Sequence, residues 1–283
     1  MIYASISAVI TAYLVYIFDR YERESLIVLW LAIFLGMLST LLPLILIKIF
    51  PFLGVRITTT LSGVLFTSFV SAATVEELSK FALFMIILYK WKSINEFYDV
   101  MLYFGMIGIG FGIYENFLYI MGNAVKALNL NYTEALVRKV ALTTAAVRIT
   151  PAHFLFDFIA GYFIAHGFYR KKKGFFLVGL LLAVVLHGSY NTLAFLSPLR
   201  FWLLFIFLMI IAAYLLGKDA LRRSVFKPEN LSELSTQEKA KILQKLRGRG
   251  EKVTPGYLIL IFTLILGGIL VTLFLTLFVN LIF

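Results

Sequence analysis

The sequence predicts an all-α fold, a polytopic bundle of about eight transmembrane helices, and three observations carry that reading. The chain of 283 residues is 61% hydrophobic and 14% charged, whereas soluble domains are about 45–50% apolar and about 25% charged. Its apolar residues gather into runs of roughly 20, the length an α-helix needs to cross a bilayer. Basic residues concentrate in alternate connectors, as expected of a chain threaded back and forth through a membrane.

In chain order the runs predict helices near residues 1–18, 26–50, 60–89, 98–121, 139–168, 175–197, 199–217 and 257–282. The connectors after the first, third, fifth and seventh carry Arg20 and Arg23, Lys90 and Lys92, Arg170 to Lys173, and the basic stretch from Lys218 to Lys252. Even-numbered connectors hold fewer, chiefly Arg56, Lys126, Arg138, Lys139 and Arg200. The odd loops are therefore expected in the cytoplasm and both termini outside a plasma or cytoplasmic membrane. The first run lacks a basic leader and a small-residue cleavage site, so no cleavable signal peptide is expected. Pro43 and Pro151 fall within predicted spans, where they kink a helix and free a carbonyl. No repeat of 20–50 residues is visible.

Residues 1–217 are expected to form the membrane-embedded core of about seven helices, 218–256 a basic cytoplasmic loop, and 257–283 a C-terminal transmembrane helix. Within the loop, Ser235 and Glu238 form a capping box ahead of Ala240, Ile242, Leu243 and Leu246, with Gly248 as the stop. This predicts a short amphipathic helix, more in keeping with the headgroup surface than with a docked partner.

Composition also excludes chemistry. With no cysteine there is no disulfide framework, thiol nucleophile or thiolate metal site, and His153, His166 and His187 are the only imidazoles. The net charge of +11 belongs with anionic lipid headgroups rather than with nucleic acid, which is not an expected partner.

The polar residues inside the apolar runs carry the functional signal, because an ionisable group in hydrocarbon is costly unless paired or hydrated. In SAATVEELSKFALFMIILYKW (71–91), Lys80 lies one turn beyond Glu76 and Glu77 and can neutralise one while the other points elsewhere. The next span places Phe111 one turn before Glu115, toward the outer half of the bilayer. Gly105, Gly108, Gly110 and Gly112 thin that helix for a neighbour or an extended peptide. The fifth span pairs His153 with Asp157, and the sixth pairs His187 with Asn191. Glu76, His153 and His187 fall near the middle of their predicted spans, so the helices can meet at one depth. Each group alone has a structural explanation, with Phe111 as apolar filler, Arg148 balancing Asp157 or Glu115, and His166 snorkelling to the interface. Four successive helices each bearing a costly polar group favour a wet catalytic layer suited to amide hydrolysis.

Glu76-Glu77-x-x-Lys80, Phe111-x-x-x-Glu115, His153-x-x-x-Asp157 and His187 resemble the four motifs of the PrsW family of membrane-embedded proteases, related to the CaaX prenyl-proteases and bacteriocin-processing enzymes. The stretch from Phe18 to Glu24 is similar to that family's N-terminal signature, and the resemblance runs from about residue 15 to about 195. It implies cleavage of a membrane-associated substrate, such as a single-pass anti-sigma factor cut on its exterior side. Among the related prenyl-proteases, the residues matching Glu76 and Glu77 activate water, and those matching His187 and Asn191 polarise the scissile carbonyl. Glu115 stands where those relatives carry histidine, leaving His153 to supply that imidazole.

Two mechanisms fit. In one, Glu76 or Glu77 is the base, no cofactor is needed, and His187 and Asn191 stabilise the oxyanion. In the other, His153, His187 and Glu115 hold a zinc ion and Glu76 or Glu77 is the base. A proton- or cation-coupled transporter using the same acidic and imidazole groups is the rival from another class, and a helix-binding scaffold is a third.

Overall fold

The structure is a computed structural model that describes residues 2–49, 60–88, 94–147, 151–169 and 172–238. It divides into two compact units, Met1–Ser224 and Val225–Phe283. No strand occurs among the described residues. The helices are α1 (Ile2–Phe18), α2 (Leu26–Ser39), α3 (Leu41–Ile49), α4 (Leu61–Leu65), α5 (Val75–Leu83), α6 (Phe97–Asn129), α7 (Glu134–Val147), α8 (Ala152–Tyr169), α9 (Gly174–Leu196), α10 (Leu199–Arg222) and α11 (Pro228–Glu233).

The first unit is built around α6, whose residues from Phe97 to Phe111 are all buried. Glycine makes that burial possible. A Cβ on Gly110 would stand 1.8 Å from the Ile33 carbonyl oxygen, and one on Gly36 of α2 would stand 1.9 Å from that of Ile107. On the side facing α8, a Cβ on Gly108 would lie 2.4 Å from the His153 carbonyl oxygen and 2.5 Å from Asp157 Oδ2. Lipid is as apolar as leucine, so such close backbone approach supplies the dispersion that holds membrane helices together. The glycines thus admit neighbouring helices. Large apolar side chains that remain outside, including Trp30, Phe195, Leu199 and Phe207, are exposed in the isolated chain.

Two predicted helices are broken. The run 26–50 divides at Thr40 into α2 and α3. The run 139–168 divides into α7 and α8, with Pro151 immediately before α8, where a residue lacking an N–H is tolerated. His153 therefore sits in the first turn of a helix rather than mid-span. The run 60–89 is helical throughout its described part, but π-helical over Phe66–Thr74 and Phe84–Leu88. Thr74 Oγ1 donates to the Phe69 carbonyl five residues back, at 2.7 Å, within the wider coil. α6 continues eight residues beyond its expected end at 121, and Glu115 falls near the middle of this 33-residue helix.

Among the described residues, four segments are long and apolar enough to cross a membrane: Leu26–Leu46, Phe97–Asn129, Gly174–Leu196 and Leu199–Arg222. They fit an integral membrane protein, while the count of eight is not supported at that number. The C-terminal helix expected at 257–282 and the amphipathic helix expected from Ala240 lie outside the described residues. In the second unit, Ser235 and Glu238 do exchange capping bonds. The Ser235 hydroxyl and N–H donate to Glu238 Oε2 at 2.6 and 2.9 Å, and the Glu238 N–H returns to the hydroxyl at 3.3 Å.

Candidate active site

A cavity of about 560 Å³ opens among α1, the π-helical stretch before α5, α6, α8 and α9. Glu76, Glu115, His153, His187 and Asn191 all line it. Oxygen or ring-nitrogen atoms of Glu76, His153 and His187 come within 4.8 Å of one another, although the three residues lie on three helices. Glu115 is not part of that trio. Its carboxylate lies 3.0 Å from His153 Nε2.

Behind this layer is a dry ionic cluster. Lys80 Nζ lies 2.7 Å from Glu77 and 2.8 Å from Asp157, with all three side chains fully buried. Glu77 also accepts from His187 Nδ1 at 2.6 Å. The sequence-level expectation that Lys80 neutralises one glutamate while the other points elsewhere is met, with Glu77 paired and Glu76 turned to the cavity. Lys80 also stands 5.1 Å from the centroid of Phe111, whose ring lies 4.8 Å from that of His153. Phe111 thus packs against both the cation and the imidazole.

The partners differ from those suggested by helical spacing. His153 bonds Glu115 on α6 rather than Asp157 one turn along, and Asp157 is balanced by Lys80. Arg148 lies outside the described residues. His166 is buried, not snorkelling: its ring meets Phe97, Tyr162 and Phe175 at 4.8, 5.0 and 5.4 Å. Phe156, which sequence reasoning passed over, stacks on His187 at 5.0 Å with 17° between planes. Tyr190 and Trp202 also line the cavity, 5.3 Å apart. A tryptophan and an aromatic one turn from His153 were the available signals.

The residues fit a metal ion. With Nδ1 engaged by Glu77, His187 presents Nε2 toward Glu76 Oε2, 3.8 Å away. Glu76 Oε2 and His153 Nδ1 are buried polar atoms without a hydrogen-bond partner. Two imidazoles and one carboxylate are a donor set of the zinc-hydrolase kind, and carboxylates behind the histidines are their usual support.

This arrangement defines a helical membrane protein with an acid-imidazole cavity inside the bundle. Residues 24–216 match the PrsW family intramembrane metalloproteases. The chain belongs to that family and is an intramembrane protease. It is 27% identical over 213 residues to Protease PrsW of Clostridioides difficile (strain 630), covering 72% of this chain and 82% of that protein. It is 26% identical over 219 residues to Protease PrsW of Bacillus subtilis (strain 168), covering 74% and 89%. No solved structure matches.

Proposed function

We propose that the cavity hydrolyses a peptide bond of a membrane protein, with Glu76, His153 and His187 as the ligands of a zinc-class ion and Glu115 as the general base. The observation that carries this reading is the approach of those three side chains within 4.8 Å on the wall of a cavity that Glu115 also lines. Such an ion would supply Lewis-acid chemistry, making water acidic enough to lose a proton near neutral pH. Glu115, fixed against His153, accepts that proton and returns it to the leaving amine, while the Asn191 amide donates to the developing oxyanion. Glu77 holds the His187 ring in the tautomer that leaves Nε2 free, and Lys80 holds Glu77 in place through their ion pair.

By resemblance, the substrate is a single-pass protein such as an anti-sigma factor, cut on the exterior side, with both termini of the protease outside. Purified protein in liposomes, incubated with a single-pass reporter and assayed for fragments and zinc content, tests the proposal. Cleavage lost on chelation and restored by zinc is the expected result. Cleavage indifferent to chelation and metal content favours the metal-free mechanism, with Glu76 or Glu77 as the base. Proton flux with no cleavage identifies a transporter.

A further inference from the structure

A second group of carboxylates lies at the N-terminal end of α6. Sixteen residues separate Asp99 from Glu115, roughly 24 Å along the helix axis. Asp19, Glu22 and Glu24 come from the α1–α2 linker, and Glu96 and Asp99 from the start of α6; all five are buried. Asp19, Glu96 and Asp99 each bring an oxygen within 4.8 Å of the other two.

Acidic side chains often cluster without a ligand, and Glu96 and Asp99 also form the capping box of α6, but each keeps one carboxylate oxygen outside it. Asp99 Oδ2 accepts from the backbone N–H groups of Asn95 and Glu96 at 2.7 and 2.8 Å, which leaves Oδ1 buried without a donor. Glu96 Oε2 accepts from the Ser224 hydroxyl, and Oε1 is likewise buried without a donor. Neither oxygen of Asp19, which is 0% exposed, meets a donor at hydrogen-bonding geometry. The Tyr21 backbone N–H approaches Asp19, and the Arg23 charge acts on it as well. None of the three forms an ion pair with a described residue, and Arg223 nearby in sequence to Ser224 is engaged by Asp219 at 2.7 Å. A buried acceptor left without a partner costs about 1–3 kcal/mol, more when charged. The three carboxylates that carry such oxygens each bring one oxygen within 4.8 Å of the other two.

We propose that Asp19, Glu96 and Asp99 form a binding site for a hard divalent cation, distinct from the catalytic centre. An all-oxygen carboxylate set selects magnesium, calcium or manganese over zinc, which the imidazole site favours. Glu22 and Glu24, which form a second trio with Asp99, extend the negative field around it. A bound cation ties the α1–α2 linker to the start of α6 and, through Ser224, to the end of α10, so its effect is on the stability of the bundle.

The test uses full-length protein in detergent, stripped with chelator and titrated with terbium while tyrosine is excited; Tyr103 lies one turn from Asp99. Saturable sensitised emission at one terbium per chain is expected, displaced by calcium or magnesium, together with a rise in melting temperature of about 5 °C on adding the competing ion. Asp19→Asn and Glu96→Gln should each weaken binding at least about tenfold while melting no lower than wild type in chelator. His153→Ala should retain the terbium signal. Should Asp19→Asn fail to fold, Glu96→Gln, whose amide oxygen still accepts from Ser224, carries the test. No saturable emission in wild type, or equal emission and equal thermal rise in both carboxylate variants, overturns the proposal.

Discussion

Lys80 donates to Asp157 across 2.8 Å, linking α5 to α8 through two side chains with no exposure to solvent. The same ammonium faces Glu77 at 2.7 Å, so one cation balances carboxylates from two helices. Removing it leaves Asp157 without its cation and Glu77 with only the His187 ring. Lys80→Met should therefore destabilise the protein by about 3–5 kcal/mol, and Lys80→Met with Asp157→Leu by less than the sum of the single changes. Unfolding in mixed detergent checks the cycle, and strict additivity would show that the pair is uncoupled.

Glu76 and Glu115 line the cavity and carry no such structural burden. Glu76→Gln and Glu115→Gln should leave the protein folded and reduce single-turnover cleavage by about 10²–10⁴-fold. Only Glu76→Gln should also lower bound zinc. Equal zinc loss in both variants would put Glu115 back among the ligands.

Glu77 acts through His187, to which it lies at 2.6 Å. Glu77→Gln should weaken zinc affinity about 10–100-fold, so that part of the lost cleavage returns at high zinc. Unchanged zinc affinity would assign Glu77 to the ionic cluster alone.

At Gly110 the approach of α2 leaves no room for a methyl group. Gly110→Ala should cost about 1–3 kcal/mol through forced separation of α2 and α6. Gly122→Ala, where a Cβ meets nothing within 4 Å, should be neutral or slightly stabilising. Melting temperatures of the two variants give the comparison.

At the N-terminal end of α6, burial pushes Asp19, Glu24 and Glu96 up to about 7 from their ordinary carboxylate values. Folding then binds protons: stability in chelator should be greatest below about pH 4 for these groups and decline as pH rises through about 7. Melting curves from pH 5 to 8 in chelator should show that decline, flattened in Asp19→Asn. A rise in stability across the same interval would contradict the burial of these groups.

The sequence by itself determined the class of fold, because runs of apolar residues long enough to cross hydrocarbon admit only a few solutions. It also singled out Glu76, Glu77, Glu115, His153 and His187, because such groups are costly in apolar runs unless something compensates them. It predicted that Lys80 would take one glutamate, since that choice lies within one helical turn. The break at Thr40 and the π-helical turns leading to Glu76 depended on packing that no local pattern records, whereas Pro151, immediately before α8, was itself a local signal. Tertiary structure alone decided the partners: spacing set His153 beside Asp157 and His187 beside Asn191, whereas their hydrogen bonds run to Glu115 and Glu77 on other helices. Helical periodicity fixes which side chains share a face, but the meeting of two faces depends on how closely backbones approach. Here Gly36, Gly108 and Gly110 set that distance.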